Sequence, residues 1–241
     1  MTSLEMSMNE KDWVAEIINP VRTLNNLYLL LDDQEVAIRR DRQACRITFP
    51  ASFEEADTVP AKLAFGSLDE YLLNLRRRAY SALLIDGSFV QMSIDVVRGD
   101  LVKHRYAYYP CPISFKNGEL EMLRQGASVV EIIEVFLRDQ PAPILLRSPL
   151  RFDFDEDEPH GNTMEPHAHI HFNHADCRCA VSAPIYPGYF IKFVMRHFYP
   201  HIWNRCPELG LLSQDMIGFW LREKEEQFLH FTAKKGAKDR S

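Results

Sequence analysis

Two periods of apolar and polar residues alternate along this chain of 241 residues. Alternation with period two marks strands, because successive strand side chains point to opposite faces, and a spacing of three to four marks helices. From Lys11 the helical spacing begins with Trp13, Ile17 and Ile18. Pro20 interrupts it, and Leu24, Leu27, Tyr28 and Leu31 resume it, which predicts two helices or one kinked at the proline. Gln43 to Phe49 reads as a short strand ended by Pro50, and Ala51 to Phe65 as a loop. Ser67-Leu-Asp-Glu70 is a capping-box signature ahead of Tyr71, Leu72, Leu75 and Ala79. Arg76, Arg77 and Arg78 follow on that helix, where they fan around the axis and read as a solvated face.

Further along, Ala82 to Ile85 and Phe89 to Val97 flank Asp86-Gly87, a dipeptide that favours the tight turns of hairpins. Arg98-Gly-Asp100 offers a second turn into Leu101 to Tyr109, completing a three-strand meander, and Asn117-Gly118 reads as another turn. Ser128-Val-Val-Glu131 is a second capping box for a stripe of Val129, Ile132, Ile133, Phe136 and Leu137. Pro141 and Pro143 end it, and Ile144 to Leu146 leads back to the sheet. Pro187 suits a first helical position before Phe190, Phe193, Val194, His197 and Phe198, with His197 expected as a hydrogen-bonded core residue. Ser213 is expected to cap a last helix carrying Met216, Phe219 and Trp220. The pattern predicts an α+β fold: a largely antiparallel sheet of about six or seven strands with helices packed on one side. Residues 1–241 read as a single domain, with 1–35 an N-terminal helical segment and 233–241 a flexible basic tail.

One stretch, Leu150 to Val181, concentrates the reactive side chains. As a strand, Arg151-Phe-Asp-Phe-Asp155 puts Arg151, Asp153 and Asp155 on one face and both phenylalanines on the other. Downstream, His167, His169 and His171 share a face opposite Ala168, Ile170 and Phe172. If the two strands pair, burying the apolar sets together forces the aspartates and histidines together. A third strand, Cys177 to Val181, joins through a turn at Asn173 to Asp176. An even loop sets His171 against Arg178 and Ile170 against Cys179, sending both cysteines to the core. An odd loop would flip them into the histidine cluster and permit a zinc knuckle of His174, Cys177 and Cys179. The even loop is preferred for its consistent apolar face.

The Arg-x-Asp strand, the Pro166-His-Ala-His-Ile-His171 strand, Cys177-Arg178 and a helix ending in Phe198-Tyr199 together resemble a bacterial family known only as a domain of unknown function. The resemblance implies a cytoplasmic protein associated with mobile elements or phage defence, and carries no activity. It transfers Arg151, Asp153, His169, His171 and Arg178; at Glu165, before Pro166, the chain departs from the family's His-Pro pair.

Three readings of this face stay open. Imidazole with carboxylate suits zinc, manganese or iron, and neighbouring histidines on a strand converge more readily than three in a row, which selects His169, His171 and Asp153. Without a metal, Asp153 could orient a histidine base while Arg151 or Arg178 stabilises negative charge on an anionic or nucleotide substrate. The bland reading is a solvated face of cross-strand pairs. The favoured function is a metal-dependent hydrolase or nuclease-like effector, and the alternative a non-catalytic module whose protein partner is encoded nearby. A net charge of -6 gives no global field for steering to nucleic acid. Five cysteines without framework spacing indicate reduced thiols, and no apolar run suits a membrane span, so a cytoplasmic location is expected.

Overall fold

The computed structural model describes residues 8–53, 65–115, 117–139, 145, 147–156, 166–174, 177–212 and 231. Helix α1 (Glu10–Asn26) opens on a capping box, the Asn9 side chain accepting from the amides of Lys11 and Asp12 while the Asp12 carboxylate accepts from the Asn9 amide. It runs through Pro20 as one helix and buries Trp13, Ile17, Val21 and Leu24. It ends earlier than the spacing predicts. Tyr28 takes a left-handed φ of 57°, and Leu30–Asp33 becomes strand β1. The Leu29 carbonyl accepts from the Ile85 amide, so the sheet claims a segment whose leucines fit either period.

Strands β2 (Ala37–Asp41) and β3 (Ala44–Thr48) form a hairpin. Helix α2 (Leu68–Arg76) starts at Ser67, whose hydroxyl accepts from the Glu70 amide. Beyond α2, Arg78 adopts φ 51° and pairs with Asp32, while Arg76 pairs with Glu134. These exposed pairs tie α2 to its neighbours and contribute little individually. Strands β4 (Ala82–Leu84), β5 (Phe89–Val97) and β6 (Asp100–Tyr109) form the expected meander. Gly87 sits at φ +81° in the first turn, a conformation glycine adopts without steric cost. Asn117-Gly118, in contrast, is no turn but the start of helix α3 (Asn117–Arg124). Helix α4 (Val129–Asp139) follows Ser128, whose hydroxyl accepts from the Val130 amide.

Strands β7 (Leu150–Asp155), β8 (Ala168–Phe172) and β9 (Arg178–Ala180) complete the sheet before helices α5 (Pro187–Phe198) and α6 (Pro200–Trp203). The strand order is β1-β4-β5-β6-β7-β8-β9, with β3 also beside β5 and β2 beside β3. Every strand pair among the described residues is antiparallel. The nine strands among the described residues exceed the expected six or seven because β1 and β2 carry weak alternation. Outside β9, Val181 makes a parallel bridge to Phe231.

Helices α1 and α5 cover one face, over Met92, Ile94, Tyr106, Phe152, Phe154 and Ile170. Each such buried side chain contributes about 1.5–3 kcal/mol relative to exposure. A smaller core adds helices to the opposite face at one end, where Tyr71, Leu75, Val129 and Ile133 of α2 and α4 meet Phe89, Ala107 and Tyr109. The rest of that opposite face is polar. In the β5–β6 ladder, Asp95 opposes Lys103 but Val96 opposes Leu101, so Val102 is an extra, bulged residue. His197 is exposed against the Phe193 ring, 4.7 Å away, because the buried stripe of α5 runs through Phe190, Ile191, Val194 and Met195 instead. No helix among the described residues is long and apolar enough to cross a membrane. The helix expected after Ser213, the tail at 233–241 and the prolines Pro141 and Pro143 lie outside the described residues.

Candidate metal centre

The site begins with the register of β7 and β8. Phe152 opposes Ile170 and Phe154 opposes Ala168, all four buried under α5. Alternation then sends Arg151, Asp153, His169 and His171 to the polar face, with Asp153 opposite His169 and Arg151 opposite His171. The even loop is found in the register, His171 opposing Arg178 and Ile170 opposing Cys179, but it does not send both cysteines to the core: Cys177, just ahead of the short strand β9, is exposed and Cys179 is only half-buried. Among the described residues no zinc knuckle forms from His174, Cys177 and Cys179; Asp153, His169 and His171 are the group whose ligand atoms converge, all within 4.8 Å of one another.

His169 and His171 are 3% and 1% exposed. Nδ1 of His169 lies 2.8 Å from the Pro166 carbonyl, which only accepts, so Nδ1 carries the proton and Nε2 is bare in the neutral ring. Nε2 of His169 lies 2.9 Å from Nε2 of His171, which is 3.3 Å from Asp153 Oδ2, and His169 Nε2 is 4.0 Å from the same oxygen. A tetrahedral ion with ligands about 2.0–2.1 Å away separates them by about 3.3 Å. The three observed separations bracket that value.

The tautomer of His171 provides a test of fit. With its proton on Nε2, that nitrogen donates to His169 or Asp153, and Nδ1 is a buried acceptor without a hydrogen-bond partner among the described residues. With the proton on Nδ1 that nitrogen is equally unpartnered, and two bare nitrogens face each other beside a carboxylate, an arrangement that repels unless a cation lies among them. The donor set therefore fits a cation. The Pro166 carbonyl supplies the outer contact that fixes the tautomer of a ligating histidine.

Electrostatics prepare both partners. Burial lowers the His169 pKa to about 4, opposed by the Pro166 carbonyl and the Asp153 charge, so the ring is neutral at ordinary pH. For Asp153 burial acts upward, but the His171 hydrogen bond and the Arg105 and Arg151 charges outweigh it and hold the carboxyl well below the usual range. Neutral imidazole with ionised carboxylate is the protonation state that ligation requires.

Arg151 Nε donates to Asp153 Oδ2 at 2.8 Å, and Arg105 Nε to Oδ1 at 3.2 Å. Phe65 covers the Arg151 guanidinium, 4.9 Å from its ring centre, and meets His171 edge-on at 6.4 Å. Both arginines also line a polar cleft of about 430 Å³, together with Arg46, Glu70, Asp95 and Lys103. Arg178 shares the face by register but is exposed and does not line this cleft. His167 lies outside the converging group; its Nδ1 is 2.9 Å from the Asp155 carbonyl, at the end of the β7–β8 hairpin.

The residues that sequence reasoning missed are Arg105 and Lys103. Their signal was present, because both alternate with His104 and Tyr106 along β6. The pairing of β6 with β7 was hidden by the two helices between them.

Comparisons with known proteins bear on family rather than on chemistry. Searches of curated proteins and of solved structures return no match. A family model described as uncharacterised conserved protein (DUF2290) matches residues 30–234, from β1 through the whole His-rich hairpin to beyond α6, and the chain therefore belongs to that family.

Proposed function

We propose that this protein is a metal-dependent hydrolase of phosphate esters, nuclease-like in its chemistry. Asp153, His169 and His171 hold one divalent ion, zinc, manganese or iron, and Arg151 faces the anionic substrate. The observation that carries this reading is the convergence of three ligand atoms within 4.8 Å, with His169 locked by the Pro166 carbonyl so that its bare nitrogen faces the other two. A bound ion supplies Lewis acidity and lowers the pKa of a coordinated water. The chain's own groups hold the carboxylate ionised, keep the His169 imidazole neutral and put guanidinium donors beside the centre.

Elemental analysis of freshly purified protein, paired with hydrolysis of bis(p-nitrophenyl) phosphate, tests both parts. Wild type should carry about one divalent ion per chain, and His169→Ala/His171→Ala should lose at least about nine-tenths of it together with the hydrolysis. Substoichiometric metal in both proteins with equal activity overturns the metal centre. Full metal without hydrolysis overturns the enzyme and favours a binding module, whose cluster variants would lose a co-purifying partner instead.

A further inference from the structure

We propose that the cleft beside the centre is the substrate site and takes a phosphate ester, seating its phosphoryl oxygens on the Nη groups of Arg105 and Arg151 with Lys103 at the rim. The inference rests on the metal-centre reading for the place where the ester bond is attacked, and on the cleft's own charges for its affinity.

Most charges on this face are spent on one another. Arg46 engages both oxygens of Asp95, at 2.7 Å each. Lys103 pairs with Asp155. Glu70 accepts from the Gly66 amide at 2.7 Å and from the Tyr109 hydroxyl at 3.1 Å. At Asp153, by contrast, two guanidiniums share one carboxylate, and each reaches it through Nε. Among the described residues no hydrogen bond occupies the Nη ends of either planar fork, the donors suited to a tetrahedral oxyanion.

Register fixes their mutual position. Arg105 on β6 stands opposite Asp153 on β7, and Arg151 is two residues away along β7, so the two cations flank the carboxylate from different strands. Neighbouring strands are about 4.8 Å apart, a spacing that lets both forks reach one phosphoryl group. Arg46, Lys103, Arg105 and Arg151 balance Glu70, Asp95, Asp153 and Asp155 across the face. A divalent ion at the histidines adds a twofold positive excess beside the cleft, which the dianion of a phosphate monoester, such as the end group of a cleaved nucleotide, neutralises better than a monovalent carboxylate. The cavity of about 430 Å³ also holds far more than a bare oxyanion, which points to an ester with an organic group of nucleoside size.

Isothermal titration with phenyl phosphate, run on metal-loaded and on chelator-treated protein, tests this. Arg105→Gln should weaken binding at least about tenfold in both forms while leaving metal content at the wild-type level. Arg105→Lys, which keeps the charge but loses the fork, should fall between. His169→Ala/His171→Ala should remove the metal yet retain binding that Arg105→Gln still weakens at least about tenfold, which separates this inference from the metal-centre reading. Far-UV circular dichroism checks each fold, and Arg105→Lys, which keeps a charge beside Asp153, carries the test if Arg105→Gln is unfolded. Phenyl phosphate binding that is indifferent to both substitutions, or acetate binding of equal strength, overturns the proposal.

Discussion

His104 and His169 are both 3% exposed, and they lie on opposite faces of the same sheet. His104, on β6, stacks flat on Tyr106 with ring centres 4.4 Å apart, and its Nε2 accepts the Ile185 amide at 3.3 Å. Burial drives its pKa down to about 3. His169 is equally dry, but its backbone contact occupies Nδ1, and its Nε2 turns toward a second imidazole and a carboxylate. Burial alone therefore says nothing about chemistry. One ring spends its free nitrogen on packing a connection against the sheet, and the other keeps it aimed at further donors.

The largest expected effect concerns the packing histidine. Its folded pKa of about 3 lies below the unfolded value near 6.5, so between them the unfolded chain binds a proton that the folded chain does not. The associated stability is present above pH 6.5 and lost as pH falls toward 3, amounting to a loss on the order of 4 kcal/mol. His104→Phe, which keeps the stack, should remove about one proton from the slope of unfolding free energy against pH in that window. Urea titrations from pH 7 to pH 4 read this slope directly. If it is unchanged, desolvation does not govern His104, and the contrast between the faces loses one side.

Next comes Asp153. Asp153→Ala strips two guanidiniums of their shared partner, and urea unfolding in the presence of a chelator should show a loss of about 3 kcal/mol. Its acid dependence has the same sign as that of His104 by the opposite route: a depressed carboxyl stabilises above its unfolded pKa, and that contribution disappears as pH falls through the folded one. A loss under about 1 kcal/mol would mean that the arginines find other partners and that the polar face is not organised around this carboxylate. The smallest effect belongs to Arg178→Ala, where an exposed guanidinium outside the cleft should cost less than about 0.5 kcal/mol and leave metal content unchanged. Loss of metal in that variant would extend the centre to β9.

The histidine site was legible because period two is a strict rule on a half-buried strand. Once β7 and β8 pair, Phe152, Phe154, Ala168 and Ile170 lie together, which puts the aspartates and histidines on the other face; the register then sets Asp153 opposite His169. The parity of the loop between β8 and β9 was legible from the same rule, although of the three residues expected on the apolar face only Val181 is buried, Cys179 being half-buried and Cys177 exposed. Two kinds of information were not local. The leucines at positions 29 to 31 suit a helix or a strand equally, and only contact with Ile85 decides between them. Arg105 belongs to the site through a strand pairing that bridges some 40 residues of chain, which no short window contains. His197 was misplaced because helical spacing marks a stripe but not its edges, and the ring falls just beyond the buried sector.

The extra residue at Val102 decides what the polar face is made of. Leu101 and Lys103 are two apart, so a regular strand would aim them the same way, yet Leu101 is buried in the main core and Lys103 lines the cleft. The bulge absorbs that miscount and lets the hairpin at Arg98-Gly99 keep its turn while the rest of β6 presents Arg105 outward. Reading frame, in a geometric sense, is thus set by a single valine. Deleting it would force either Leu101 into water or two cations under α1 and α5, so losing that one codon should be more damaging than exchanging any single side chain along the strand.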